Sequence, residues 1–334
     1  MILAADVGGT KTLMGLFRPQ GLRPAPLATR VYATPDFRNL GETVRVFLDE
    51  VGRPQIDAIC AGVAGPVEDL SARLTNAPWS ADLKEIAADL GGCPAALLND
   101  LESMAYSVSV LESEEILMLQ AGEPNPDGNA ALIAAGTGLN ASHIQRVNGR
   151  LIPSPSEPGH ADFAARTKRE LALVEMLTRV HGRADVESVI SGPGVVNLFQ
   201  FTHDGHDRRA GCPVLAAGVD ERDLAAEITA TALAEGCPVC VEALDMFVSA
   251  YGAETGNVAL RSMATAGMYV GGGIAPKILP ALEKGSFMDA FRSKGPMAPL
   301  LAKVPVKVIL NPSAALVGAS VRAASLLNST GNIR

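Results

Sequence analysis

The sequence predicts an α/β protein built from two domains. Strand-like runs of aliphatic residues alternate with helical patterns, an order typical of a largely parallel sheet covered on both faces. The chain has 334 residues, more than a single hydrophobic core usually organises. Two glycine-rich turns, at 8–10 and 136–138, each follow one strand-like run and lead into another. This repeated arrangement suggests two related domains.

The first hundred residues show the clearest alternation. Aliphatic runs that end at glycine or polar residues predict strands at 2–7, 13–17, 56–65 and 95–99. Apolar residues at helical spacing predict a helix from about Leu40 to a stop at Gly52, and another from about Ala81 to Leu90 with Ser80 as its cap. Because the first two runs are close in sequence, we expect a hairpin at the start of the sheet.

A second strand-rich segment lies at 129–154, where Asn148-Gly149 is typical of a hairpin turn. Thr167 and Glu170 have the spacing of a capping box, which predicts a helix after Thr167. Three more helices are predicted: Asp220 to Tyr251 with a break near Gly236 and Pro238, one from about Pro276, and Ser313 to about Leu327. Strands are predicted between them at residues 268–274 and 304–310.

Composition and charge exclude several classes of protein. Apolar residues make up 48% of the chain, but none of its runs approaches the roughly 18 uninterrupted apolar residues of a membrane span. The N-terminus lacks the basic segment of a signal peptide, so we expect a soluble cytoplasmic protein. The net charge of -8 would repel a phosphate backbone, so nucleic acid is not an expected partner. The five cysteines are odd in number and scattered, which favours reduced thiols.

Three glycine-rich turns give the first indication of function. In ADVGGTKT, residues 5–12, two glycines follow a strand, and successive N–H groups there can cradle phosphate oxygens. Asp6 could hold a water of a hydrated magnesium ion. The motif is neither a P-loop nor a dinucleotide fingerprint, because the chain turns into another strand. A plain glycine hairpin is the alternative interpretation.

The second and third turns extend this pattern. AAGTGLNAS, residues 134–142, repeats the strand-turn-strand arrangement of the first motif. In YVGGGIAPKIL, residues 269–279, three glycines between a strand and a helix let a flat group lie against the backbone. Each turn alone is a weak signal. The three in this order are hard to obtain by chance and predict two loops that grip one polyphosphate.

These motifs together resemble the sugar kinase and actin-like ATPase superfamily, and within it the bacterial glucokinase family. The similarity spans nearly the whole chain. The segments that carry it are ADVGGTKT, TNAPW (75–79), LLNDLES (97–103), GTGLNASH (136–143), SEPGHADFA (156–164), ESVISGPGVVNLF (187–199) and GMYVGGGIAPK (267–277). TNAPW, SEPGHADFA and ESVISGPGVVNLF are specific to the glucokinases rather than to the superfamily.

The resemblance implies two actin-like ATPase (ribonuclease H-like) domains with a sugar-binding cleft between them. The small domain would contain residues 1–110 and about 311–334, and the large domain residues 111–310. It also implies ATP, Mg²⁺ and glucose as ligands and a homodimer as the assembly. Asp100 would be the catalytic carboxylate. The implied sugar-binding residues are Asn99, Asp100, Gly138, Glu157, His160 and Glu187. The implied nucleotide-binding residues are Asp6, which would also hold the metal through water, Gly8, Gly9, Thr10, Lys11, Thr12, Gly136, Thr137, Gly271, Gly272 and Gly273.

Each of these residues also has an ordinary structural interpretation. Asn99 or Asp100 could cap the helix that follows, and Glu187 could be a first-turn helix acid. Glu157 and His160 could be solvated loop residues. Asn140 stands where the family usually has glycine, so the second turn is expected to be stiffer unless Asn140 is left-handed, a conformation that Asn tolerates.

The sequence also contains a pair with metal-ligand spacing, Cys237-Pro-Val-Cys240. Related regulators and kinases that hold a structural zinc have a denser cluster of cysteine and histidine, which this chain lacks. We therefore interpret Cys237 and Cys240 as small buried residues at a helix break.

The favoured function is transfer of the γ-phosphoryl group of ATP to the 6-hydroxyl of glucose. Alternatives are a kinase of another hexose or an amino sugar, and a polyphosphate-dependent glucokinase. A sugar-sensing regulator on the same fold would need a DNA-binding extension, whereas this sequence starts at the first strand of the core. A filament or chaperone ATPase would not use Glu157, His160 and Glu187.

Overall fold

The computed structural model describes residues 1–73, 79–205, 211–220 and 222–329. The chain divides into two compact units. The first unit contains Met1–Glu115, Leu151–Pro155 and Asn311–Arg334, and the second contains Ile116–Arg150 and Ser156–Leu310. Four residues of the TNAPW motif, 75–78, lie outside the described residues.

A five-stranded mixed sheet forms the centre of the first unit. Its strand order is β3-β2-β1-β4-β8, in which β1, β4 and β8 are parallel and β2 and β3 are antiparallel to their neighbours. The expected hairpin of the first two strands is confirmed. The strands of this unit are β1 (Ile2–Val7), β2 (Lys11–Arg18), β3 (Ala25–Ala33), β4 (Ala58–Val63), β5 (Val67–Glu68), β6 (Ser71–Arg73), β7 (Ser80–Asp82) and β8 (Ala95–Asn99), of which β5 to β7 form a small separate sheet.

Both faces of this sheet are buried. Leu3 and Val7 belong to one apolar cluster together with Phe47 of α1 (Leu40–Glu50) and Ile86 of α2 (Leu83–Asp89). The opposite face packs against α3 (Asp100–Ser107) and the C-terminal helix Ala314–Ser329. The expected doubly covered sheet is confirmed in this unit.

Two details of the first unit differ from the sequence expectation. The cap of α2 is Asp82, whose Oδ1 accepts hydrogen bonds from the backbone N–H groups of Lys84 and Glu85, while Ser80 lies in β7. Strand β3 was not predicted. It is an edge strand with a mostly exposed surface and a proline, Pro26, so it lacks the aliphatic run that marks a buried strand.

The second unit is organised around a mixed sheet in which β11, β10, β13, β14 and β9 are neighbours in that order. The turn between β11 and β12 has positive φ at both Asn148 (50°) and Gly149 (78°), as the sequence predicts for a two-residue hairpin. The strands of this unit are β9 (Ile116–Gln120), β10 (Ala130–Ala135), β11 (Leu139–Val147), β13 (Gly267–Gly271) and β14 (Val306–Ile309). Strand β12 (Arg150–Ser156) follows β11, and its central residues, Leu151–Pro155, are assigned to the first unit.

Helices supply most of the core of the second unit. Thr167 caps α4 by accepting the N–H of Glu170, as predicted, and the helical region after Asp220 is broken at Gly236 and Pro238. The single helix expected from Pro276 is wrong, because a 3-10 turn, Ala275–Lys277, and short helices replace it. The helices are α4 (Lys168–His181), α5 (Gly192–Thr202), α6 (Pro213–Ala217), α7 (Leu224–Leu233), α8 (Pro238–Ser262), α9 (Leu279–Glu283), α10 (Ser286–Arg292) and α11 (Ala298–Leu301).

Within the described ranges, no helix alone is long and apolar enough to cross a membrane. Helices α7 and α8 reach those criteria only when taken as a pair, and they are bent by 104° at their break.

Candidate active site

Two carboxylates lie at the carboxyl edge of the parallel strands in the first unit. Asp6 is in β1 and pairs in register with Gly62 of β4, and Asp100 directly follows the end of β8. Burial and the nearby charge of Asp100 raise the pKa of Asp6 from 3.8 to about 6, against the opposing effect of Lys11. Two interacting carboxylates at this edge can accept a proton or bind a hydrated cation.

The residues at the end of β8 have separate roles. Asn99 is the N-cap of α3, and its Oδ1 accepts the N–H of Glu102 at 2.6 Å. Asp100 is the exposed first residue of the helix, with its Oδ1 2.8 Å from the N–H of Leu101. The capping alternative is therefore confirmed for Asn99 and wrong for Asp100. The helix therefore keeps its cap without Asp100.

Close packing fixes the position of α3. A Cβ on Gly62 would lie 2.7 Å from the Cβ of Ser103, and a Cβ on Gly318 would lie 1.7 Å from the backbone oxygen of Ser103. The Ser103 hydroxyl donates to the carbonyl of Ala315 at 2.8 Å. The helix that begins with Asp100 is thus packed directly against β4 and the C-terminal helix, which gives its first residue little freedom.

The first glycine-rich turn is held by a residue that sequence reasoning missed. The Gly8 N–H donates to the carbonyl of Lys11 at 2.9 Å, which closes the turn between β1 and β2. Thr34 Oγ1 donates to the Gly8 carbonyl at 2.7 Å, and the Thr34 N–H donates to the carbonyl of Thr10 at 3.0 Å. The buried Thr12 hydroxyl lies 2.9 Å from Thr34 Oγ1, so Thr12 supports the turn from inside the protein. Thr34 has no sequence signal, because it lies 22 residues from Thr12.

Glu187 is the centre of the second unit's candidate site. Its Oε2 accepts the N–H of Leu139, at the start of β11, at 2.8 Å, and its own N–H donates to the carbonyl of Gly159 at 2.9 Å. A Cβ on Gly138 would lie 2.5 Å from this Oε2, so glycine leaves the space that the carboxylate occupies. Glu187 therefore links the second glycine-rich turn to the loop that contains Glu157 and His160.

The second glycine-rich turn is also tied to helix α5. The Gly136 N–H donates to the Gly138 carbonyl at 2.8 Å, and the Gly136 carbonyl accepts the N–H of Gly192, the first residue of α5, at 2.8 Å. Thr137 is exposed at the tip of the turn. The turn is thus a rigid connection with one exposed hydroxyl, suited to contact a ligand.

Glu157 and His160 are both exposed on the neighbouring loop, around the 3-10 turn Pro158–His160. Asn140 Nδ2 donates to Glu157 Oε1 at 3.2 Å. Asn140 is an ordinary residue of β11 paired with Ala134, so the left-handed conformation considered from the sequence is not adopted. Its side chain instead orients Glu157.

The third glycine-rich turn follows β13, which is parallel to β10. Gly272 has a φ of 85°, and a Cβ on it would lie 2.3 Å from the carbonyl oxygen of Ala135. Gly272 is therefore required by the protein's own packing. Gly273 has no atom within 4 Å of its Cβ position, so a ligand can approach the backbone there.

The predicted site residues thus fall into two groups. The first unit brings together Asp6, Gly8, Gly9, Thr10, Lys11, Asn99 and Asp100 near one edge of its sheet, with Thr12 beneath the turn. The second unit brings together Gly136, Thr137, Gly138, Glu157, His160 and Glu187, and places Gly271 at the end of the strand beside β10, followed by Gly272 and Gly273.

Comparison with solved structures identifies the class of fold. The structure of a glucokinase from an Antarctic psychrotroph matches with a TM-score of 0.85 and 27% identity over 97% of this chain and 98% of that chain. A ROK family glucokinase from Streptomyces griseus matches with a TM-score of 0.62 and 21% identity over 97% of this chain and 99% of that chain. The protein therefore has the α/β fold with mixed sheets found in glucokinase structures.

Sequence comparison is more specific. The glucokinase family model matches residues 3–326. The glucokinase of Nostoc punctiforme is 37% identical, and the alignment covers 98% of this chain and 99% of that protein. The chain belongs to the glucokinase family.

Proposed function

We propose that this protein is a glucokinase that transfers the γ-phosphoryl group of ATP to the 6-hydroxyl of glucose, giving glucose 6-phosphate and ADP. Family membership supports the reaction. The observation that carries it is the placement of Asp100, an exposed carboxylate on the first residue of a rigidly packed helix, beside the carboxylate of Asp6.

Asp100 acts as the general base in this proposal. The primary hydroxyl of a sugar is a poor nucleophile near neutral pH, so an acceptor within hydrogen-bond reach is needed to orient it and to take its proton. Asn99 holds a neighbouring hydroxyl. While its Oδ1 caps α3, the amide nitrogen is the group of Asn99 that can donate to the sugar.

The second unit supplies the remaining contacts to glucose in this proposal. Glu157, His160 and Glu187 offer carboxylate and imidazole groups that can bond to ring hydroxyls, and Gly138 lets Glu187 approach. The two units would be the two actin-like ATPase domains, with borders near residues 110 and 311.

ATP is proposed as the phosphoryl donor. The Streptomyces griseus glucokinase with a similar fold was solved in complex with glucose and AMPPNP, an ATP analogue. The turn containing Gly8 to Lys11, together with Gly136 and Thr137, would contact the phosphates through backbone N–H groups and hydroxyls. The turn of Gly271 to Gly273 would lie against the nucleoside.

The residues near Asp6 fit a hydrated Mg²⁺ ion. The donors there are carboxylate oxygens, which magnesium prefers, and burial and the charge of Asp100 raise the pKa of Asp6, so a bound cation would favour its ionised form. Asp6 would hold the ion through water. When bound, Mg²⁺ would neutralise charge on the phosphates. Asp6 would then be needed in its ionised form.

A single assay tests the reaction. Formation of the sugar phosphate should be measured with glucose, other hexoses and amino sugars, each with ATP or inorganic polyphosphate as donor. We expect the highest kcat/KM for glucose with ATP. A higher value for another sugar, or turnover with polyphosphate alone, would replace this assignment with one of the alternatives. If the protein binds a sugar but no combination of sugar and donor gives a product, a sugar-sensing regulator would be favoured.

The oligomeric state and the location are inferred from membership of the glucokinase family. We propose a cytoplasmic homodimer, which sedimentation at micromolar concentration would test.

A further inference from the structure

Four buried side chains in the second unit converge on one point. His203 is 2% exposed, Cys212 3%, Cys237 5% and Cys240 0%. Their nitrogen and sulfur atoms all lie within 4.8 Å of one another. Cys212 Sγ is 3.8 Å from Cys240 Sγ, and His203 Nε2 is 3.7 Å from Cys237 Sγ and 4.0 Å from Cys240 Sγ.

These distances match a tetrahedral zinc site. With Zn–S bonds of about 2.3 Å and a Zn–N bond of about 2.0 Å, ligand atoms at the corners of a tetrahedron lie about 3.8 Å apart for S and S and about 3.5 Å apart for S and N. We propose that the protein binds a structural zinc ion through His203, Cys212, Cys237 and Cys240. Three sulfurs and one imidazole nitrogen are a soft tetrahedral ligand set, which selects zinc over magnesium or calcium.

The surroundings of His203 orient it for this role. Its Nδ1–H donates to the backbone carbonyl of Phe199 at 2.8 Å. That hydrogen bond fixes the tautomer in which Nε2 carries the lone pair, and Nε2 is the atom that approaches the sulfurs. A carbonyl that fixes a ligating histidine in this way is usual at zinc sites.

The three cysteines lie at the starts of two helices. Cys237 is the N-cap of α8 and Cys240 lies in its first turn, and Cys212 is the N-cap of α6. Positive partial charge at the start of α8 stabilises thiolate sulfur. Zinc binding displaces the three thiol protons, so three thiolates and one Zn²⁺ leave one negative charge at this helix start.

Cys237 and Cys240 are buried at a helix break, as the sequence interpretation has them, but His203 and Cys212 lie beside them, which that interpretation did not include. The spacing of the pair was visible in sequence, but its partners were not, because Cys212 lies 28 residues before Cys240 and His203 lies 34 residues before Cys237. A disulfide is a poorer explanation. The sulfurs of Cys212 and Cys240 are 3.8 Å apart, against about 2.05 Å in a disulfide, and all five cysteines are free in the structure.

The proposed site would stabilise the part of the second unit that carries Glu187. His203 ends α5, and Ser191, the cap of the same helix, donates through its hydroxyl to the carbonyl of Glu187 at 2.7 Å. Zinc would tie the end of α5 to the starts of α6 and α8. Four protein ligands close the coordination sphere, so the role is structural rather than catalytic.

The first test measures metal content. Protein purified without a histidine tag or chelator should contain about one zinc ion per chain, as expected for a site with four ligands. Cys240→Ser should lose most of this zinc. The matched control is Cys93→Ser, which changes a half-buried cysteine in the other unit and should keep it. Absence of zinc from the wild type, even after incubation with zinc and reductant, would overturn the proposal, as would equal zinc content in the two variants.

Two further measurements on the wild type do not depend on how Cys240→Ser folds. Cobalt substituted for zinc should give thiolate-to-cobalt charge-transfer absorption and the visible bands of a tetrahedral ion. Zinc should protect Cys212, Cys237 and Cys240 from alkylation during partial unfolding, relative to the same protein treated with chelator, while Cys93 is unaffected. An octahedral cobalt spectrum, or the same alkylation pattern with and without zinc, would count against the site.

Discussion

Asp100→Asn is the most direct test of the proposed catalytic base. The substitution keeps the size of the side chain and removes its ability to accept a proton. We expect kcat for glucose and ATP to fall by roughly 10²-fold to 10⁴-fold, the usual effect of losing a general base.

The structure limits how much of that loss could come from unfolding. Asn99 remains the cap of α3, and the loss of a first-turn acid is worth about 0.3–1 kcal/mol. The substitution also removes the negative charge that raises the pKa of Asp6. The loss of this repulsion between carboxylates offsets part of the loss of folding stability. In a protein of this size a change of 1 kcal/mol shifts Tm by only about 2–4 °C.

The matched control is Glu102→Gln. Glu102 is the other acid in the first turn of α3, so this variant loses a similar helix-end interaction but keeps Asp100. ADP release at saturating substrates and thermal melting should be measured for both. Similar kcat values for the two variants would refute the reasoning. So would a fall in Tm that leaves Asp100→Asn unfolded at the temperature of the assay, because unfolding would then explain its loss of activity.

Three further predictions concern Glu187, Gly138 and Asp6. Glu187→Gln should raise KM for glucose more than it lowers kcat, whereas Glu187→Ala should also lower Tm, because it leaves the Leu139 N–H without its acceptor at a cost of about 1–3 kcal/mol; an unchanged KM in both would contradict the assigned role. Gly138→Ala should raise KM and lower Tm less than Gly159→Ala does, because its methyl group would displace the end of the Glu187 side chain, whereas the methyl group of Gly159→Ala would lie 2.3 Å from the backbone oxygen of Leu139; the reverse order of Tm would show that the carboxylate cannot move. Asp6→Asn should inactivate the enzyme but raise Tm near pH 7.5 without magnesium, since a pKa raised from 3.8 to about 6 means that the ionised form destabilises the fold by up to about 3 kcal/mol. The folded protein binds the proton of Asp6 more tightly than the unfolded chain does, so the contribution of Asp6 to the stability of the wild type falls as pH rises from about 4 to 6. The difference in Tm between the wild type and Asp6→Asn should therefore vanish near pH 4.

Local sequence patterns predicted the buried strands and the hairpin turn, because these features depend on residues that are close together in the chain. Strands β1 and β8 were predicted because each is a buried aliphatic run, and the turn at Asn148-Gly149 because its residues favour positive φ. Strand β3 was not predicted, because its exposed residues show neither an apolar run nor a regular alternation.

Contacts between distant parts of the chain explain what sequence reasoning missed at the site. Thr34 holds the first glycine-rich turn through three hydrogen bonds, yet a threonine before a proline has no distinguishing pattern. The cluster of His203 and Cys212 with the later cysteine pair is assembled only when α5, α6 and α8 pack together. The residues of such groups become neighbours only in the folded protein, so their spacing along the chain does not reveal them.

The glycines of the three turns separate into two kinds that sequence could not distinguish. Gly138 and Gly272 are required by the protein itself, because a Cβ would lie 2.5 Å from the carboxylate of Glu187 in one case and 2.3 Å from a backbone oxygen in the other. Gly9, Gly136 and Gly273 have no atom within 4 Å of the Cβ position and do not have positive φ. Neither packing nor backbone conformation requires glycine at those three positions, and glycine leaves the backbone there open to the proposed nucleotide. There is one such glycine in each turn, as expected if all three turns contact the nucleotide.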